Sequence, residues 1–363
     1  MPYRVCVYAI CKNEEGFVDR WMDSMKEADR VVVVDTGSTD LTVEKLRMRG
    51  AEVFVEEVHP WRFDEARNRS LARVPMDTDI CVCTDLDEVF SVGWRERLEH
   101  AWMPDTKLAR YLYNWKMNPD KTAAVQFVYE KIHTRQGYRW VHPVHEVLEY
   151  SGTAEQKTVW AEGVVLSHYP DPAKSRGQYL PLLECSAKEN PQDSSTAFWL
   201  GREYVFHERY DDAIRTLRQH LQLPTARWDE ERCASMRFLA RCFLAKGDAW
   251  STRSWLYRAI AECPQAREPY WEAAKIAYRW QNWPLLYGMT CEGLSIQQSS
   301  GSYLVEPDAW GYALYDFRAI AGWQLGLYAQ AENDAAAALA IRPADTRLRE
   351  NLKCIHAKNV EQG

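Results

Sequence analysis

The chain has 363 residues, more than one compact core usually holds, and reads as two domains of about 100–200 residues each. With 46% hydrophobic and 27% charged residues it can bury enough apolar surface to fold, which excludes a disordered or fibrous chain. A formal charge of −7 excludes a protein that grips nucleic acid by bulk charge, although a local basic groove stays open. No stretch approaches the roughly 18 apolar residues of a membrane span, and the start MPYRVCVYAICKNEE meets charge too early for a secretory signal. A cytoplasmic protein without membrane attachment is the expectation. Of ten cysteines only Cys81 and Cys83 are close together, without zinc-ligand spacing, so buried reduced thiols are expected. The 16 tryptophans divide into two groups. Trp199, Trp255, Trp271 and Trp323 read as helix packing, and Trp61, Trp115 and Trp140 can touch substrate through an aromatic face.

The first 170 or so residues alternate short β-rich runs with helical patterns. Arg4–Ile10 reads as a strand, followed by a helix on which Phe17, Trp21, Met25 and Ala28 share a face. Val31–Val34 is a β-branched run suited to a strand buried on both faces. The turn Asp35-Thr36-Gly37-Ser38-Thr39-Asp40 leads into a helix that stops at Gly50, before a strand at Val53–Val55. Phe63–Arg69 opens another helix, and Ile80–Thr84 reads as a strand ending directly in Asp85-Leu86-Asp87-Glu88. This order predicts a mostly parallel sheet with ligands outside its carboxyl ends, where Asp35 and Asp85 both fall.

From about Ser195 onward the pattern is helix after helix. Leu200, Gly201, Tyr204 and Ala213 follow the tetratricopeptide spacing, as do Leu239, Ala240, Phe243, Gly247, Ala259 and Pro264. A degenerate third copy spans Tyr270–Ile296, and a fourth runs through Tyr315, Ala319, Gly322, Gly326, Ala331, Ala338 and Pro343. Four copies suffice for a short solenoid, with an irregular helical bundle as the alternative. Tyr169-Pro170-Asp171-Pro172 and the region of Pro181 read as the connection, which places the division at 1–172 and 173–363.

Asp85 and Asp87, one residue apart at a strand end, can ligate a hard divalent cation whose remaining positions accept phosphate oxygens. Asp35 can accept hydrogen bonds from a pyrimidine or a ribose, with Thr36 beside it; the same six residues also read as a turn and helix cap. Arg67 can meet a phosphate or base, or close a salt bridge at its helix start.

In this order, Lys12-Asn13-Glu14-Glu15, Asp35–Asp40, Phe63–Asn68 and Asp85–Glu88 resemble the nucleotide-sugar half of glycosyltransferase family two, with a GT-A fold. The attached repeats make the chain similar to the tetratricopeptide-bearing subgroup that includes the sublancin-type peptide S-glycosyltransferases. The resemblance implies an α/β GT-A mixed sheet followed by an all-α tetratricopeptide-like domain. It also implies a UDP-sugar donor and Mn²⁺ or Mg²⁺. Asp35, Thr36, Arg67, Asp85, Lys12 and Glu14 would contact the nucleotide, Asp87 would ligate the metal directly, and Asp85 would lie nearer the ribose while contributing to the metal site. His168, in Leu166-Ser167-His168-Tyr169, resembles the late histidine that completes such sites.

An inverting transfer also needs a base for the acceptor's proton. In Trp140-Val141-His142-Pro143-Val144-His145-Glu146 the candidates are Glu146 first and His145 second; the alternative is a strand with a structural His and a salt-bridged Glu. Glu88, next to the metal motif, can orient the sugar. Solenoids offer concave surfaces to extended chains, so a peptide or protein acceptor is favoured, with homo-oligomerisation through the repeats an open role. Modified nucleic acid or a glycan is the alternative acceptor, permitted by 12 basic against 9 acidic residues over Ser195–Arg267. A non-catalytic scaffold with a retired transferase domain is the remaining reading.

Overall fold

The computed structural model describes residues 3–118, 120–171 and 177–362. They form two compact units, Met1–Glu189 and Asn190–Gly363. The expected division after residue 172 falls outside the described residues. The helix Tyr179–Glu189 belongs to the first unit, where Tyr179 meets the Phe63 ring edge-on at 6.2 Å and Glu189 pairs with Arg62.

The first unit runs β1 (Val5–Cys11), α1 (Val18–Met25), β2 (Arg30–Asp35), α2 (Thr42–Met48), β3 (Glu52–Val55), α3 (Phe63–Arg73), β4 (Ile80–Cys83), β5 (Glu88–Phe90) and α4 (Trp94–Ala101). Then come β6 (Thr106–Met117), β7 (Ala123–His133), β8 (Tyr138–Val141), β9 (Val147–Tyr150), β10 (Lys157–His168) and α5 (Tyr179–Glu189). One sheet has the order β3-β2-β1-β4-β7-β6-β10-β5, and β8 and β9 form a separate hairpin. β3, β2, β1 and β4 are mutually parallel, whereas β7 is antiparallel to both β4 and β6. This is a mixed α/β sheet. The chain leaves β1 toward β2 and later returns to its other side at β4, so the carboxyl ends of these strands meet at a switch point.

Alternation along β1 explains both faces. Val5, Val7, Ala9 and Cys11 pack with Trp21, Met22 and Met25 of α1, while Cys6 and Tyr8 pack with Leu71, Cys81, Cys83 and Trp140 on the opposite side. On that second face Trp140 Nε1 donates to Tyr8 Oη at 2.9 Å, Tyr8 donates to His133 Nε2 at 2.7 Å, and His133 Nδ1 donates to the Thr134 carbonyl at 2.7 Å. Burial pulls the His133 imidazole down to about 4, so it is neutral and its tautomer is set.

The second unit is all helix: α6 (Ser194–Phe206), α7 (Tyr210–Gln222), α8 (Asp229–Ala245), α9 (Ala249–Glu262), α10 (Arg267–Arg279), α11 (Trp283–Ser295), the short α12 (Pro307–Trp310), α13 (Ala313–Gln324), α14 (Tyr328–Ile341) and α15 (Thr346–Gln362). Each of the four expected repeats corresponds to a helix pair: α6 with α7, α8 with α9, α10 with α11, and α13 with α14. Asp193, Asp248 and Asn282 cap α6, α9 and α11 through side-chain oxygens. Gly201 serves close packing, since a Cβ there would stand 2.5 Å from Leu217 Cδ2 on α7.

Candidate active site

β1 and β2 end side by side, Cys11 opposite Asp35, and their following loops are bonded into one rim. Asn13 adopts a left-handed φ of 55°; its side-chain oxygen accepts from the Thr39 N–H at 2.8 Å and its own N–H donates to Ser38 Oγ at 2.8 Å. The Glu15 N–H donates to Asp40 Oδ2 at 3.2 Å, the Leu41 N–H to Glu15 Oε2 at 2.9 Å, and the Glu14 N–H to Thr42 Oγ1 at 2.7 Å.

Asp35 is fully buried. Its Oδ1 accepts from the Gly37 and Ser38 N–H groups at 3.0 and 2.9 Å, and its Oδ2 from the Ser38 hydroxyl and, at 3.4 Å, the Cys11 thiol. Gly37 supplies the φ of 105° this turn requires. Thr36 returns its hydroxyl to the Cys11 carbonyl at 3.0 Å. A base meeting Asp35 would share oxygens the turn already uses. Lys12 is exposed on the rim and Glu14 is buried beneath it.

At the end of β4 the side chains form a charge network. Arg67, on α3 and only 4% exposed, donates through Nη2 to Asp85 Oδ1 at 2.9 Å, through Nε to Glu146 Oε1, and through Nη1 to Cys83 Sγ at 3.4 Å. Its guanidinium lies over the Trp140 ring, 5.2 Å from the centroid. Lys131, buried on β7, brings its ammonium 3.3 Å from Asp85 Oδ2 and 3.8 Å from Glu88 Oε1. Burial works against the Asp85 charge, yet Arg67 and Lys131 hold its carboxyl well below the usual range. Two buried cations therefore neutralise Asp85, and the metal role expected of it competes with both.

Glu88 is 2% exposed. Its Oε1 accepts from the Tyr113 hydroxyl at 2.6 Å and its Oε2 from the Asp85 N–H at 2.8 Å. Burial pushes its carboxyl up despite Lys131. With both oxygens engaged, Glu88 braces the Asp85–Asp87 turn from beneath. Asp87 turns the other way, and its Oδ2 lies 3.3 Å from His168 Nε2. His168 donates from Nδ1 to the Trp115 carbonyl at 3.1 Å and stacks on the Trp115 ring at 4.6 Å and 17°. Burial disfavours the imidazolium, but the bond to Asp87 and its charge raise the His168 pKa overall.

The Asp87–His168 pair fits a Mn²⁺ or Mg²⁺ ion in donor chemistry: a carboxylate oxygen and an imidazole nitrogen lie side by side, the ring oriented through its other nitrogen. No cluster of three or more His, Cys, Asp or Glu suited to a metal occurs among the described residues, so the remaining positions would fall to water and ligand oxygens. Beside the pair lies a groove of about 490 Å³, lined in part by Phe17, Arg20, Trp115, Lys116 and Tyr169.

Residues 142–146 form the turn between β8 and β9, with His142 and His145 at φ of 75° and 53°, and not the strand that was the alternative reading. The Phe63 N–H donates to the Pro143 carbonyl at 3.0 Å, and Asn68 exchanges two 2.8 Å bonds with the Trp140 backbone, so α3 fixes this turn. Glu146 points to Arg67, whereas the neighbouring His145 ring meets Tyr179 edge-on at 5.6 Å. The two base candidates are thus separated, and only Glu146 joins the Arg67–Asp85 network. Glu146, Lys131, Tyr129 and Trp140 border a cavity of about 230 Å³. Trp115 is 41% exposed beside His168, Trp61 packs on Phe63 at 5.0 Å, and Trp140 is 2% exposed, a buried brace whose ring supports Arg67.

Residues 6–147 match the profile of "Glycosyl transferase family 2". An "Uncharacterized glycosyltransferase" of Rickettsia bellii (strain RML369-C) is 32% identical over 110 residues, 30% of this chain and 36% of that protein. A second "Uncharacterized glycosyltransferase", of Rickettsia typhi, is 32% identical over 100 residues, 27% of this chain and 33% of that protein. The chain thus spans about a third of the length of these curated relatives. Among solved structures, one titled "Crystal structure of MamA" aligns with a TM-score of 0.36 at 17% identity, over 45% of this chain and 86% of that one. The structure titled "Functional Characterization of Pseudomonas Aeruginosa pilF" aligns with a TM-score of 0.36 at 14% identity, over 46% and 69%. Within the first unit, residues 6–147 on the mixed sheet are thus what resembles that family, and an all-helical unit follows in the chain. No helix among the described residues is long and apolar enough to cross a membrane.

Proposed function

We propose that the protein is a metal-dependent, inverting glycosyltransferase that moves a sugar from a UDP-sugar to a peptide or protein acceptor. The observation that carries this reading is the Asp87–His168 pair, 3.3 Å apart and oriented by Trp115, within the unit that matches the family-two profile. Asp87 and His168 would hold Mn²⁺ or Mg²⁺. When bound, the cation supplies Lewis-acid neutralisation of the departing diphosphate.

The chain's own residues supply the rest. Arg67 and Lys131 keep Asp85 ionised, so it can accept a hydrogen bond from a ribose or sugar hydroxyl. Glu88 fixes the turn that carries both aspartates. The Asp35–Asp40 and Lys12–Glu15 loops form the rim against which a nucleoside would lie. Glu146 is the group assigned to take the acceptor's proton, with Arg67 setting its orientation.

Intact Asp35, Asp85 and Asp87 argue against a retired transferase. The peptide acceptor, and kinship with the repeat-bearing peptide S-glycosyltransferases, follow from the joined helical pairs and their capacity for extended chains. Mass spectrometry of candidate peptides after incubation with a panel of UDP-sugars and Mn²⁺ tests the reading. A sugar-sized mass increment on a peptide supports it. UDP release with modification only of a nucleic acid or glycan overturns the acceptor assignment.

A further inference from the structure

Within the helical unit, successive helices are mostly joined by short turns, such as residues 207–209 and 246–248. Between α11 and α13 the chain instead makes an excursion from Ile296 to Tyr312 and crosses residues on α6, α8 and α10, the first helices of the three preceding pairs. Arg267 of α10 ties the ends of this excursion together, donating to the Ile296 carbonyl at 2.6 Å and to the Ala309 carbonyl at 3.5 Å.

Two side chains anchor the excursion. The Tyr303 ring stacks on Trp199 of α6 at 5.2 Å and 22°, meets Trp228 edge-on at 5.4 Å, and directs its hydroxyl to Glu231 of α8 at 3.3 Å. Three residues later, Glu306 accepts from Arg237 at 2.7 Å and Arg241 at 3.1 Å, one turn apart on α8, with Lys275 of α10 at 3.8 Å. Arg237 is 4% exposed, and its buried Nε donates to nothing among the described residues. This buried cation needs an acid from whatever covers it and retains a spare donor.

Part of the excursion is core: Ala309 and Trp310 belong to the apolar cluster of α10, α11 and α13. The apolar clusters joining α8, α9, α10 and α11 are built from helix residues and their immediate caps, and none takes a side chain from residues 297–306. The segment's own hydrogen bonds are local: the Val305 N–H closes a turn on the Ser302 carbonyl at 3.2 Å, and the Gly301, Ser302 and Leu304 N–H groups donate to the Oγ atoms of Ser299, Ser300 and Ser302 at 3.3 Å each. It is held on the helices by an aromatic anchor, an acidic anchor and serine bonds to Glu230, as a bound peptide containing a turn would be.

We propose that this face of α6, α8 and α10 is a binding groove for a polypeptide bearing an aromatic residue followed, across a turn, three positions later by a carboxylate, and that residues 297–306 are its internal occupant, displaced by such a partner. The carboxylates of Glu230, Glu231 and Glu272 on the same face favour a polypeptide over a phosphodiester chain. A tethered occupant acts at an effective concentration on the order of millimolar, so a matching peptide in solution binds weakly until the tether loses its anchors. The inference is read by binding alone and does not depend on the transfer reaction.

The test titrates a fluorescent synthetic peptide of residues 297–310 against the full-length protein and follows anisotropy. Glu306→Gln, which keeps volume and one acceptor oxygen, is expected to tighten binding at least about threefold, and Tyr303→Ser with Glu306→Gln at least about tenfold. Adding Arg241→Glu to the double variant should abolish the gain, and a peptide lacking the tyrosine and glutamate should not bind. Circular dichroism of each variant establishes that the helices remain folded, and the single variant serves if the double does not fold. No gain in either folded variant, or preferential binding of a single-stranded oligonucleotide, would overturn the proposal.

Discussion

His168 Nε2 stands 3.3 Å from Asp87 Oδ2 while its Nδ1 is held by the Trp115 carbonyl. Three distant segments thus converge: the turn after β4, the end of β10 and the end of β6. If the pair is a metal site, His168→Ala should raise the Mn²⁺ concentration needed for half-saturation by about tenfold or more, measured by Mn²⁺ electron paramagnetic resonance with UDP present. An unchanged titration would assign His168 a structural role.

Lys131 is the buried cation that keeps Asp85 compensated on the side away from Arg67. Lys131→Met retains the stem and removes the charge. It should destabilise β1 and β4 by about 2 kcal/mol, below the full value for a buried pair because Asp85 is about one third exposed to water. Native-state hydrogen exchange of the β4 amides under increasing urea reads this directly, and Lys131→Arg should recover most of the loss.

Lys131 also marks where the sequence stops being legible. The parallel half was readable because Val31–Val34 is an uninterrupted β-branched run and Asp35 and Asp85 close their strands. The strands of the mixed half, β6, β7 and β10, were not, because they are long, bulged and polar on one side, so their alternation is broken. A lysine on such a strand reads as solvated, and nothing local signals that Asp85 waits across the sheet. The separation of His145 from Glu146 was equally hidden, since it depends on positive φ at His142 and His145 in a turn fixed by Asn68 and Phe63. The repeats were legible through small residues at set spacings. The excursion 296–312 was not, because its anchors, Tyr303 and Glu306, belong to no repeat position.

The neutral His133 makes stability depend on pH. Its folded pKa, about 4, lies below the unfolded value of 6.5, so the unfolded chain binds the proton first. This contribution is complete above pH 6.5 and is lost as the pH falls toward 4, with a limiting slope of about 1.4 kcal/mol per pH unit and a total of about 3 kcal/mol. Urea unfolding across this range, monitored at the β7 amides, should show the slope in the wild type and not in His133→Gln.

Gly201 sets the approach of α6 and α7. Gly201→Ala would force its Cβ against Leu217 and should cost about 1–3 kcal/mol, seen as a lower melting temperature of the helical unit. Leu217→Val in the same chain should restore part of the loss, and equal melting of Gly201→Ala and wild type would contradict the packing account.

The central claim is tested most directly by measuring UDP release from a panel of UDP-sugars with a candidate peptide acceptor and Mn²⁺, for the wild type and Asp87→Ala. The account predicts Mn²⁺-dependent release by the wild type and a loss of about a hundredfold or more in Asp87→Ala. Equal turnover in the two proteins would contradict it.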